Sequence, residues 1–148
     1  MLALGSAQTL AWASTYYLPA LLARPMASQL GVSVTTVWAA FTVALLASAV
    51  LGPFAGRAID RWGGRPVLMG TSVLFATGLA ALSQVQGVVS LMLAWLLLGI
   101  AMGSGLYEAA FAALVRLKGS HARASITGIT LIAGFASTVG WPLTAWVE

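Results

Sequence analysis

The chain has 148 residues, of which 60% are hydrophobic and only 7% charged; a soluble domain carries about 25% charged residues. A fold of this size has too little interior to hide so much apolar surface, so lipid must cover much of it. The net charge of +4 does not indicate a nucleic-acid binder, because the seven basic residues sit in short gaps between apolar runs rather than in one solvated patch.

A bilayer core about 30 Å thick requires ~20 apolar residues in helical form. The first such run, 2–23, lacks a basic leader and is too long for a signal-peptide core, so it is expected to be a retained span. Arg24-Pro25 is expected to end it, and Ser33, Thr35 and Thr36 offer N-caps for the second span, 35–56. Gly63-Gly64-Arg65-Pro66 reads as a tight turn into the third, 67–85. Gln86-Gly87 leaves almost no loop before the fourth, 88–115, so these two form an antiparallel hairpin. Lys118-Gly119-Ser120-His121 precedes the fifth, 124–147. The runs are continuous rather than alternating, which favours helices over barrel strands. The expectation is an all-α membrane protein with residues 1–148 forming a single transmembrane domain.

Charge orients the bundle. Arg57, Arg61 and Arg65 lie in the second gap, Arg116, Lys118 and Arg123 in the fourth, and only Arg24 in the first. The positive-inside rule then places the N-terminus and loops 57–66 and 116–123 in the cytoplasm and Glu148 outside. Gly52 and Gly56, and Gly99 and Gly103, are four apart; Gly105 extends the second of these faces, and Gly128, Gly134 and Gly140 mark the fifth span. Such spacing lets backbones approach closely in lipid, and it reads as packing surface before gating hinge.

Three features bear on function. The stretch Gly56-x-x-x-Asp60-Arg61-x-Gly63-x-Arg65 puts one acid among arginines, just past the expected end of the second helix. There the dipole of that helix disfavours a carboxylate, so Asp60 should seek Arg57, Arg61 or another helix's N-terminus. A cluster able to pair in more than one way can serve as a conformational latch; the plainer reading is an ordinary basic loop. Glu108 is the only charged side chain within the five runs, and an intramembrane carboxylate is functional by default. It is a candidate for proton coupling or substrate contact, with Tyr107 beside it; pairing with Arg116 or Arg123 is the structural alternative. Gln8, Trp12 and Tyr16 share one face of the first helix, bordered by Thr15, with Pro19 positioned to kink the helix. That face suits a ligand cavity, against the alternative of an interfacial aromatic belt. His121 belongs to a solvated loop. With no cysteine and no ligand cluster, neither a metal site nor a cofactor is expected, and the lack of a nucleophile–base pair argues against an enzyme.

Gly56, Asp60, Arg61, Gly63 and Arg65, placed between the second and third spans, resemble the loop signature of the major facilitator superfamily (MFS), although Pro66 stands where a second basic residue is usual. Gly99–Tyr107 is similar to the glycine-rich fourth helix of that family, without its early arginine. Gly134, Gly140, Trp141 and Pro142 are similar to the glycine–proline motif of antiporter branches, without the paired glycines that follow it, so antiport is not inferred. Together with Tyr16-Tyr17-Leu18-Pro19 these stretches resemble a bacterial branch with poorly defined substrates. The resemblance implies an MFS-like transmembrane helix bundle, with about five of twelve helices forming an incomplete N-terminal half. It further implies a fragment of a secondary active transporter of the inner membrane that moves a small solute by alternating access. The implied partners are the lipid bilayer, a small-molecule substrate, protons as a candidate coupling ion, and the remainder of the transporter. The alternative is a small non-transporting helical module that oligomerises through its glycine-rich faces.

Overall fold

Seven α-helices follow from these apolar runs in the computed structural model, which describes residues 2–147 apart from the side chains of residues 2, 3, 108, 120, 135–137 and 139–147. They are α1 (Leu2–Ala13), α2 (Leu18–Leu30), α3 (Val34–Trp62), α4 (Gly64–Ser83), α5 (Val88–Gly105), α6 (Tyr107–Lys118) and α7 (Ala122–Val147). A single 3-10 turn, Gly119–His121, joins α6 to α7.

Among the described residues three helical segments are long and apolar enough to cross a membrane: Val34–Trp62, Gly64–Ser83 and Val88–Lys118, the last made of α5 and α6. The first expected span is instead two helices of 12 and 13 residues. At 1.5 Å per residue neither reaches across ~30 Å alone. The break at Ser14–Tyr17 lies just before Pro19, whose missing N–H leaves the Thr15 carbonyl without its helical donor.

Helix ends depart from expectation in four places. Arg24-Pro25 does not end the first segment: α2 runs through Pro25 to Leu30. It stops where Gly31 takes a left-handed φ of 63°, with the Val32 N–H bonded to the Ala27 carbonyl at 3.0 Å. The second segment continues past Gly56 to Trp62, so Asp60 lies in the last helical turn rather than beyond it, and most of the expected loop 57–66 is helical. The fourth segment is interrupted at Leu106. Finally, α6 extends through Arg116 to Lys118, so the expected loop 116–123 shrinks to the 3-10 turn and the start of α7. The cap at Ser33 does form, its Oγ accepting from the Thr36 N–H at 3.1 Å.

At the centre is α5, packed against α3 and α4, while α1 lies along α7. Its Leu91, Trp95 and Leu98 are fully buried against Phe41 and Ala44 of α3. Gly99 and Gly103 allow this approach, because a Cβ at either would fall 2.3 and 2.7 Å from the carbonyl oxygens of Ala44 and Ser48. That glycine face is thus used within the chain. Gly52 and Gly56 have open space instead. Leu46, Val50 and Phe54, four apart along α3, are each more than half exposed, which forms an apolar stripe for lipid or another helix.

Candidate functional site

The interruption at Leu106 and the face of α1 meet. Leu106 leaves the helix with ψ of −162°, so the Gly105 carbonyl no longer points at the N–H four residues on. Gln8, only 2% exposed, supplies the donor: its Nε2 lies 2.7 Å from the Gly105 oxygen. The Oε1 of Gln8 is buried without a partner among the described residues. A small cavity of about 50 Å³ lies alongside, lined by Gln8, Thr71, Ser72, Phe75 and Gly105. Close approach requires the glycine here, since a Cβ at Gly105 would come within 2.9 Å of Thr71 and Phe75.

Above Gln8 the α1 face continues into a ladder of rings. Trp12 stacks on Tyr16 with centroids 4.5 Å apart and meets Tyr107 of α6 at 4.9 Å. Tyr107 stacks on Phe111 at 5.3 Å. In the other direction Tyr16 meets the edge of Phe41 at 5.8 Å, and Phe41 meets Trp95 at 5.2 Å. These separations fall in the range where offset and edge-to-face pairs attract. Gln8, Trp12, Tyr16 and Tyr107, all candidates from sequence, are thus brought together. Phe41, Trp95 and Phe111 join them unannounced; only Phe111, four residues after Tyr107, had a spacing that could have revealed it. The indole N–H groups of Trp12 and Trp95 are buried without partners among the described residues. Glu108 lies in the first turn of α6, but its side chain is outside the described residues, as are those of Trp141 and Pro142.

The loop signature is arranged differently from the expected latch. Among the described residues the Asp60 carboxylate forms no ion pair with Arg57 or Arg61. Arg57 lies over the Phe54 ring at 4.5 Å, and Arg61 lies 5.7 Å from Trp62. The group that engages this turn is Arg116 of α6, whose Nη1 donates to the carbonyls of Ile59 and Asp60. Those carbonyls end α3; that of Ile59 already accepts from the Gly63 N–H at 2.8 Å, and a cation there adds a second donor and answers the helix dipole. Arg116 thus ties α6 to the end of α3. Gly63, at φ 94°, makes the turn itself. Gly64 packs so tightly on α6 that a Cβ would overlap Ala113. Gly56 faces open space, and Arg65 is exposed at the start of α4. Among the described residues no group of three or more His, Cys, Asp or Glu could hold a metal ion.

A helix bundle with this loop signature and two interrupted helices in contact has the parts of a transporter half-domain. No curated protein and no solved structure matches the sequence. The family model of the Major Facilitator Superfamily matches residues 4–147, almost the whole chain, and the protein therefore belongs to that superfamily of multi-pass membrane transporters.

Proposed function

We propose that the chain is part of a secondary active transporter that moves a small solute by alternating access. In this reading Gln8, Trp12, Tyr16 and Tyr107 provide solute contacts, and Glu108, next to Tyr107, carries the coupling proton. The observation that carries it is the joining of the two helix interruptions, Gln8 to Gly105 and Trp12 to Tyr107. Non-helical backbone at membrane depth persists where it is buried in protein or lines a cavity, and a buried amide oxygen without a partner can accept a hydrogen bond from solute or water.

Proteoliposome uptake over a panel of small solutes, with and without a pH gradient, tests this. Trp12→Ala and Gln8→Ala are expected to weaken apparent solute affinity, and Glu108→Gln to remove the dependence on the pH gradient while leaving the amount of folded protein unchanged. Unaltered affinity in both α1 variants, together with intact proton-coupled uptake in E108Q, refutes the assignment. Asp60→Asn is expected to shift the balance of inward and outward states, since it removes the one acid of the stretch 56–66.

The same reading places the protein in the inner membrane with its N-terminus and the arginine-bearing turns in the cytoplasm. Because the chain has no cysteine, Arg61→Cys and Lys118→Cys give clean labelling sites. Both should react only from the cytoplasmic side; labelling from opposite sides refutes the topology.

A further inference from the structure

Most cations at the basic end of the bundle have a partner within the chain. Arg116 serves the end of α3, and the Nζ of Lys118 lies 2.8 Å from Ser125 Oγ. Arg57 donates from Nε to the Pro53 carbonyl at 3.3 Å, and Arg61 rests near the ring of Trp62. Arg65 and Arg123 differ: both are exposed and, among the described residues, have no hydrogen bond, ion pair or ring contact, and of the two it is Arg65 that borders a cavity. It lines a cavity of about 320 Å³ between α1, α4 and α6, whose other walls include Leu4, Leu68, Met69, Leu114 and Leu117. Arg65 stands in the first turn of α4, and Ser72 lies two turns deeper. The cavity therefore has a cationic end toward the basic loops and an apolar body running into the bundle.

We propose that this cavity binds an anionic phospholipid, with one acyl chain among the leucines and the phosphate on Arg65. The charge arrangement selects the occupant. An apolar helix would fill the body and leave the guanidinium unanswered, whereas a phosphate takes the paired N–H donors of arginine in a geometry that suits both. A zwitterionic headgroup carries its own cation beside the phosphate and gains less. Basic pockets between membrane helices are sites of this type.

The test uses the purified chain in mild detergent, titrated with phosphatidylglycerol or with phosphatidylcholine bearing identical acyl chains, and bound lipid is counted by native mass spectrometry. The expected preference for phosphatidylglycerol is about tenfold, the scale of one charge-assisted contact. Arg65→Gln should bring the two lipids to near-equal affinity, and Arg65→Lys should retain most of the preference. Leu114→Trp, which fills the body of the cavity, should weaken both lipids together. Thermal melting of each variant confirms that it remains folded. The proposal is overturned if R65Q keeps the preference, or if R61Q abolishes it equally, since a diffuse positive face then explains the binding. Displacement of phosphatidylglycerol by glycerol 3-phosphate at the same concentration also overturns it, because the acyl chain then contributes nothing. Failure of the unmodified chain to bind lipid saturably has the same consequence.

Discussion

Replacing Gly99 by alanine tests whether α3 and α5 are held at their distance of closest approach. A Cβ at Gly99 would lie 2.3 Å from the Ala44 oxygen and 2.6 Å from its Cα, and neither backbone atom can rotate aside. The tight end of real Cβ contacts is 3.0 Å, so that contact must lengthen by at least about 0.7 Å, the difference between 3.0 and 2.3 Å. A gap of that order forfeits about a quarter to a half of the attraction between facing atoms. The atoms concerned are those of Phe41 and Ala44 against Trp95 and Leu98. Overpacking of this kind costs about 1–3 kcal/mol, while alanine returns about 1 kcal/mol of helix propensity. Overpacking wins because both surfaces are backbone, leaving a net loss of about 1–2 kcal/mol. At about 2–4 °C per kcal/mol for a chain of this size, the melting temperature in detergent should fall by about 2–8 °C. Gly52→Ala is the matched control, since its Cβ would meet nothing within 4 Å. It carries the propensity gain alone, and its melting temperature should stay level or rise by about 2–4 °C. The close-packing argument fails if Gly99→Ala melts at or above the unmodified chain, or if Gly52→Ala falls as far.

Arg116→Met keeps most of the length of the side chain but takes its donor from the Asp60 carbonyl and leaves that of Ile59 with the Gly63 N–H alone. The site is partly solvated, so a loss of only about 1 kcal/mol is expected, together with faster amide exchange at the α3–α4 turn, read by mass spectrometry. Ser33→Ala removes the cap on Thr36 and should cost about 1 kcal/mol in the same melting assay. Gln8→Ala leaves the buried Gly105 carbonyl unanswered. It should cost about 1–3 kcal/mol and raise amide exchange at the start of α6.

Much of the architecture was legible because it depends on averages over many residues. Lengths of apolar sequence and the clustering of basic residues identify helices in lipid whichever neighbours they meet, and the cap at Ser33 is a local signal. The helix ends failed where tertiary contacts override local rules. Pro25 looked like a terminator, but a proline deprives only one carbonyl, that of Leu21, and α2 continues to a genuine glycine cap at Gly31. Leu106 gave no warning at all. Nothing about leucine favours a break; what stabilises it is Gln8, far away in sequence, accepting the role of the missing donor to Gly105. The candidate site was legible in part for the same reason. Gln8, Trp12 and Tyr16 declare a shared face by their spacing, whereas their meeting with Tyr107 depends on the path of α6 after the break. Arg116 entered only as an alternative partner for Glu108, and its role on the α3 carbonyls could not be read, because it requires knowing that α3 ends beside α6.

The two interruptions support one another energetically. In hydrocarbon an unanswered carbonyl costs several kcal/mol, on the order of the loss from a large core substitution. Around Ser14–Tyr17 the hydroxyls of Ser14 and Thr15 sit 2.7 and 2.6 Å from the carbonyls of Leu10 and Ala11, a pattern that favours bending. At Leu106 the amide of Gln8 plays the corresponding part from outside the helix. The ring of Trp12 then ties the two bends together through Tyr107. If the inner half of the first segment swings, either Gln8 releases Gly105 or α6 must follow it, and the ring contact of Trp12 with Tyr107 penalises the first course. A tilt begun in α1 should therefore be carried to α6, and from α6 through Arg116 to the α3–α4 turn that bears the loop signature.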